Sequence, residues 1–263
     1  MHITRIGGPT AFIEWEGWRI LTDPTFDPAG RKYSFALGTS SVKQVGPAIA
    51  LENLAPIDVA LVSHHQHDDN LDDAGRAGLV SARTVLTTVA GAKNITHADV
   101  RGLAAGDSVT LTAPGKPPLT ITATPCRHGA PFTTPLVGPV VGFALTLDGA
   151  TRPGVWMTGD TVLYGALKRY AKDLRPDVAL VHMGAVRFPQ TGPLRYTMTA
   201  EEAAELIALA RPTVAVPVHV EGWSHFSQQE DAASAVLAAA PTEVAASIRW
   251  LPLGEPAEFA VAD

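Results

Sequence analysis

A single cysteine, Cys126, in 263 residues rules out an internal disulfide and a zinc knot built from thiolates. Basic residues are outnumbered, 20 against 26 acidic ones, and form no cluster, so a chain of net charge −6 offers no electrostatic footprint for nucleic acid and none is expected as a partner. No apolar run approaches the ~20 residues needed to cross a bilayer, so no membrane span is expected. The opening Met1-His2-Ile3-Thr4-Arg5-Ile6 alternates like a strand and lacks the charged-then-apolar pattern of an export signal, which points to the cytoplasm. Repeats, low-complexity tracts and linkers are missing as well, so no internal boundary is placed and residues 1–263 are read as one domain.

What the chain does have is apolar mass. A hydrophobic content of 46% over this length can bury a sizeable core. Short strand-like runs at Ile3–Ile6, Ala11–Trp15 and Trp18–Thr22, the last two joined by Glu16-Gly17, predict an opening β-meander. From Asp23 to Ile57 the pattern dissolves into Pro, Gly, Ser and aromatic residues, long enough to predict a functional loop or lid. Leu71–Leu79 reads as a short helix, weakened by its two glycines. Strand signals return at Thr84–Thr87, Ser108–Leu111, Leu119–Ala123 and Val140–Leu147, after which strands and helices alternate. Helical spacing runs from Val162 to Leu174, and capping boxes at Thr199/Glu202 and Ser227/Glu230 open two further helices that end before Pro212 and Pro241. A β-rich first half followed by alternating elements fits an α+β architecture of two packed sheets with helices on their outer faces.

The chemistry is concentrated at His65-Gln66-His67-Asp68-Asp69-Asn70, directly after the apolar run Val59-Ala60-Leu61-Val62. Alternate residues of an extended segment point the same way, so His65, His67 and Asp69 can converge on one ion, and imidazole with carboxylate suits zinc and its first-row neighbours. The same arrangement recurs along the chain. Apolar runs lead to His128, Asp160, His182 and His219, and ligands in layered folds gather beyond the carboxyl ends of strands. Cys126, at the end of one such run, reads as a small buried hydrophobe, whereas His2 and His97 lack this context and read as surface residues.

These residues resemble the metallo-β-lactamase-fold hydrolases. The family signature, His-x-His-x-Asp-His after a buried strand, is met by His65-x-His67-x-Asp69 with Asn70 in the last place, and the later single ligands match His128, Asp160 in Thr158-Gly159-Asp160-Thr161, and His219. Leu21-Thr22-Asp23-Pro24 and Glu221-Gly222-Trp223-Ser224-His225-Phe226 resemble the branch containing ascorbate-6-phosphate lactonase and the phospholipase D that hydrolyses N-acylphosphatidylethanolamine. The resemblance implies a four-layer αββα sandwich and two divalent ions, zinc first and manganese or iron as alternatives. It places His65, His67 and His128 on one ion, Asp69, Asn70 and His219 on the other, and Asp160 between them. Asn70 stands where the family has histidine, and an amide oxygen is a weaker donor for zinc, which implies a weak second site. A competing register starts at His64 and ends at Asp68; Gln66 interrupts it, so His65 is taken as first ligand and His64 as a support beneath the site.

The resemblance implies hydrolysis of a small-molecule ester or lactone by a hydroxide made nucleophilic between two metals, with Asp69, His225 and His182 as catalytic candidates. The substrate is expected to be anionic or carbonyl-containing, and a homo-oligomer is left open. Asp23 either orients a ligand histidine or merely forms a turn before Pro24. His182 is equally readable as a core histidine, and Arg187, Arg195 and Tyr196 as a pocket rim or a solvated loop. Two other functions compete: a phosphodiesterase of the phospholipase D-like branch, and a non-enzymatic ligand-binding or scaffold protein with a degenerate second metal site.

Overall fold

The computed structural model describes residues 1–261. Strands β1 (His2–Gly7), β2 (Thr10–Trp15) and β3 (Trp18–Thr22) form the expected antiparallel meander, and β4 (Lys32–Ser34) pairs with β5 (Ser40–Val42) in a separate ribbon. β6 (Ile57–Leu61), β7 (Ala82–Thr88) and β8 (Val100–Leu103) extend the first sheet in parallel from β3. β9 (Ser108–Ala113), β10 (Lys116–Pro125) and β11 (Val141–Leu147) open the second sheet antiparallel. β12 (Val155–Met157) is antiparallel to β11, and β13 (Val178–His182) and β14 (Val214–Val218) continue from it in parallel. β15 (Pro256–Glu258) returns to the free edge of β1, giving sheets of seven and six strands.

The two-residue period of a strand sorts the apolar side chains into layers. Phe143, Leu145, Val155, Met157, Val178 and Leu180 face the first sheet and pack with Ile13, Ile20, Val59 and Leu61 into the central core. Their neighbours Ala144, Trp156, Ala179 and Val181 face outward beneath α4 (Gly165–Leu174), α5 (Ala200–Ala210), α6 (Glu230–Ala238) and α7 (Thr242–Ser247). Phe12, Leu21, Ala60 and Val85 likewise face out of the first sheet. Burial on both faces explains why these strands read as continuous apolar runs. Four layers result, the αββα order that the resemblance implied.

Helix boundaries test the local chemistry. Thr199 and Glu202 form the full capping box, Thr199 Oγ1 accepting from Glu202 N at 3.2 Å and Glu202 Oε2 from Thr199 N at 3.1 Å. The second predicted box does not form: Ser227 Oγ donates to Ala185 O at 2.5 Å, and the helix starts beyond it, at Glu230. The helix expected from Val162 begins only at Gly165. Between Asp23 and Ile57 the chain is an ordered arm. The buried Asp72 carboxylate accepts from Phe26 N, Asp27 N and Lys43 Nζ at 2.7–2.8 Å, and also caps α1 (Asp73–Gly78) through Gly75 N.

Register brings the strand ends to one rim. Thr22 pairs with Leu61, Met157 with Leu180, and His182 with Val218, so Asp23, Ser63, Asp160 and His219 all leave the sheets at the same level. Val141 N donates to Ser63 O at 3.1 Å and His219 N to Gly8 O at 2.8 Å, locking the two rims together. Thr199→Ala should remove about 1 kcal/mol of stability, read from the denaturant midpoint at constant slope.

Candidate metal centre

Beyond Val62 the chain turns instead of running extended, with Asn70 N and Leu71 N both donating to His67 O at 3.1 and 3.0 Å. In a turn, residues three apart share a face, and His64 rather than His65 meets His67 and His128. His64 Nε2 lies 3.0 Å from His67 Nδ1, which lies 3.1 Å from His128 Nε2. These spacings are close to the ~3.3 Å edge of a tetrahedron whose donors sit about 2.0–2.1 Å from one zinc ion. The structure thus places His65 outside the cluster: it is half-buried, its Nδ1 has no hydrogen-bond partner, and its carbonyl accepts from Arg76.

Three of the rings, those of His64, His128 and His219, are held by their outer nitrogens. Ser63 Oγ donates to Asp23 Oδ2 at 2.9 Å, so at 2.9 Å from His64 Nδ1 it can only accept, and His64 keeps its proton on Nδ1. Tyr196 O accepts from His128 Nδ1 at 2.8 Å, and Met183 O from His219 Nδ1 at 3.1 Å. Burial pushes His64 well below the usual imidazole range, and burial plus mutual repulsion brings His67 to about 4; burial likewise brings His128 to about 4. Neutral, inward-facing imidazoles are what a cation requires of its ligands.

A second group stands beside the first. His219 Nε2 lies 3.3 Å from Asp69 Oδ2 and 3.4 Å from Asp160 Oδ2, and all three side chains are buried. Burial alone would lower the His219 pKa, but the Asp160 and Asp69 carboxylates overcome it and hold the ring up at about 9. Burial would raise Asp69, but hydrogen bonds from His219 and His225 hold it well below the carboxylate range. Asp160 Oδ2 is buried with no hydrogen-bond partner. Two buried carboxyl groups, one with an orphaned oxygen, call for positive charge, which a proton on His219 supplies here and a divalent ion can supply in its place. The donors therefore fit two ions: His64, His67 and His128 around one, and Asp69, Asp160 and His219 around the other.

Asn70 plays a different part from the expected one. Its Nδ2 donates to Asp23 Oδ2 at 3.1 Å and Asp160 Oδ1 at 3.3 Å, which turns the amide nitrogen toward the carboxylates and leaves Oδ1 unpartnered. It acts as a bracket between two acids. Asp23 is the anchor of that bracket, accepting Ser63 N at 2.7 Å, and burial raises its pKa. His182 packs behind the site, fully buried, 3.4 Å from Asp23 and stacked on His219, and does not reach the cavity. His225 does reach it: Nε2 is 3.0 Å from Asp69 Oδ2, Nδ1 is 2.5 Å from Ser41 Oγ, and the ring stacks on Phe188 at 7°. Gly159 turns at φ 65, where an added Cβ would fall 2.8 Å from Val141 O, so only glycine lets the chain deliver Asp160.

Over the donors lies a cavity of about 170 Å³. Its walls are mainly apolar, from Phe35 of the arm, Val137 and Leu136 of α3 (Thr134–Val137), and Val186, Phe188 and Leu194 of the 184–197 loop. Tyr196 lines it too, but Arg195 turns away to pair with Glu202, and neither it nor Arg187 borders this cavity. His97 braces its own loop, between Ala82 O and Asp99 N, and Cys126 donates to Thr158 O with burial holding its thiol pKa well up. Ser63 was not foreseen; a hydroxyl one place before the first histidine of a strand-end cluster is the signal that could have exposed it.

His64→Ala should cost the protein one bound ion per chain by elemental analysis, whereas His65→Ala should keep both; the opposite result would restore the register beginning at His65. Ser63→Ala should weaken metal affinity about 10–100-fold in competition with a chromogenic chelator, and Ser63→Thr should recover most of it.

Residues 18–220 match the family described as the beta-lactamase superfamily domain. A UPF0173 metal-dependent hydrolase of Pelotomaculum thermopropionicum is 31% identical over 71% of this chain and 78% of its own length. Among solved structures, an isothiocyanate hydrolase from Delia radicum gut bacteria superposes with a TM-score of 0.82 at 18% identity, covering 98% of this chain and 99% of the other. A possible metal-dependent hydrolase from Veillonella parvula gives 0.80 at 18% identity, covering 98% of each. With the fold, the donor set and these likenesses in agreement, the chain belongs to the metallo-β-lactamase superfamily of metal-dependent hydrolases.

Proposed function

We propose that the protein hydrolyses a small, uncharged ester or lactone, and that two divalent ions assist. The observation that carries this reading is an apolar cavity, bordered by no lysine or arginine, floored by His67, Asp69, His128 and His225. Such a pocket supports a carbonyl-containing substrate without further ionic groups, since a charge on the ligand away from the metal centre would lose its hydration against apolar walls. The walls offer a phosphodiester no cationic side chain beyond the metal centre itself. The scaffold reading loses its premise, because Asp69, Asp160 and His219 complete a second donor group without Asn70.

Three imidazoles suit zinc, and the group with two carboxylates is harder, leaving manganese or iron as alternatives there. Bound ions would supply Lewis acidity and a water acidic enough to attack at neutral pH. The chain's own part is positional. Phe35, Phe188 and Val137 keep bulk water from the carbonyl; Ser63, Tyr196 and Met183 hold His64, His128 and His219 with their Nε2 atoms inward. His225 orients Asp69 and, lining the cavity, can carry a proton at Nε2 to the departing oxygen. The fold's isothiocyanate hydrolase adds isothiocyanates to the neutral electrophiles worth assaying.

Purified protein stripped by chelator should be inactive on a panel of lactones, esters and isothiocyanates and regain activity with zinc or manganese, while phosphodiesters remain uncleaved. Cleavage of phosphodiesters alone would overturn the assignment. His225→Ala should lower kcat about 100-fold or more at unchanged metal content; loss of an ion instead would make His225 a ligand.

A further inference from the structure

Six large apolar side chains stand exposed among the described residues, and three of them, Leu37 (62%), Phe132 (71%) and Leu136 (52%), border the cavity above the metal centre. Clustering of this kind at a pocket mouth marks a contact surface. Leu37 is costly twice over, since it also holds a left-handed backbone at φ 58 within the tip of the β4–β5 ribbon. Backbone strain in a solvated apolar residue beside a cavity points to a contact made by something bound there.

We infer that Leu37, Phe132 and Leu136, at the solvent-exposed mouth of the cavity whose floor takes the reacting carbonyl, form a seat for a linear alkyl tail on the substrate. The inference rests on the ester and lactone reading above and extends it to long-chain members of that class. The seat is continuous with the cavity wall, because Leu136 precedes Val137, and Phe132 precedes Thr133, both of which line it. It is also held in register with the donors. Gln66 Nε2, from the turn between His64 and His67, donates to Val137 O at 2.7 Å and Pro139 O at 3.2 Å. Thr133 Oγ1 reaches back to Ala130 O at 2.7 Å and His128 O at 3.3 Å. The two contacts tie both ends of the Phe132–Leu136 segment to the ligand-bearing loops, so a tail lying on it is aligned with the carbonyl.

The test uses zinc-loaded full-length protein and γ-lactones with linear side chains from methyl to heptyl, each below its micelle concentration. If each methylene leaves water on this seat, kcat/KM should rise about fourfold per methylene across the series. The rise should flatten to under about twofold in a Phe132→Ser/Leu136→Ser variant. A flat series in the wild type, or an unchanged slope in the variant, overturns the inference. Should no lactone or ester be turned over, the chemistry has failed and the seat is read separately, by calorimetric binding of 1-pentanol through 1-nonanol. Affinity that climbs with chain length and is lost in the variant sustains the seat; affinity that does not climb overturns it. A patch that proves to be buried between two copies of the chain, with the serine variant monomeric and the alkyl dependence absent, overturns it too.

Discussion

Carboxyl groups gathered and buried at one point, with a single histidine ring against them, are the constraint on which this molecule turns. Asp69 and Asp160 are withdrawn from water at the junction of the two sheets, and the ring that lies against both is His219. Burying an ionised carboxylate costs several kcal/mol unless it is paired. Asn70 holds Asp160 Oδ1 and His225 holds Asp69 Oδ2, while Asp160 Oδ2 is left without a hydrogen-bond partner beside His219. The three neutral imidazoles alongside add donors without adding charge. Chemistry and stability are therefore linked, since a cation completes both.

That arrangement depends on strand register more than on any loop. Five parallel-paired strands lead into the site at one level: Asp23 follows β3, the histidine turn follows β6, Asp160 follows β12, and His182 and His219 stand at the ends of β13 and β14. A slip of one residue in β13 or β14 would turn the central core faces outward and carry the site residues away with them. His219 and Asp23 both hold left-handed backbones, at φ 56 and 32, and their amides bond to Gly8 O and Leu61 O. Local strain at the rim is thus offset by one hydrogen bond between the sheets, from His219, and one within the first sheet, from Asp23.

The αββα layering was legible in the sequence because both sheets are covered on both faces, so buried strands announce themselves as unbroken apolar runs, each with a chemically active residue at its end. The spacing within the histidine cluster misled for a definite reason. Alternation holds only while the chain stays extended, and after Val62 it turns, so positions three apart converge and His64 takes the place that a two-residue period assigns to His65. Asn70 misled because its amide reads as a ligand from its place in the motif, whereas its neighbours decide its orientation, and two carboxylates call for the nitrogen. Ser227 had the right spacing for a cap but spends its hydroxyl on Ala185 O, a contact 42 residues away that no local pattern contains.

The donors come from strand ends and the cavity walls from the arm and two loops, and this division bears on how the protein selects its substrate. Strand ends are fixed by the core and change little without unfolding it, whereas the arm is held mainly by polar contacts, among them Asp72 with Lys43 and Asp27 with Tyr33. Apolar substitutions along the arm and in the 130–139 and 184–197 segments can reshape the cavity while the imidazoles and carboxylates stay where the sheets put them. A single fold can host many hydrolyses on those terms. In this chain the walls of the cavity above the donors are mainly apolar, so the loops rather than the sheets set the chemical character of what can lie against the metal centre.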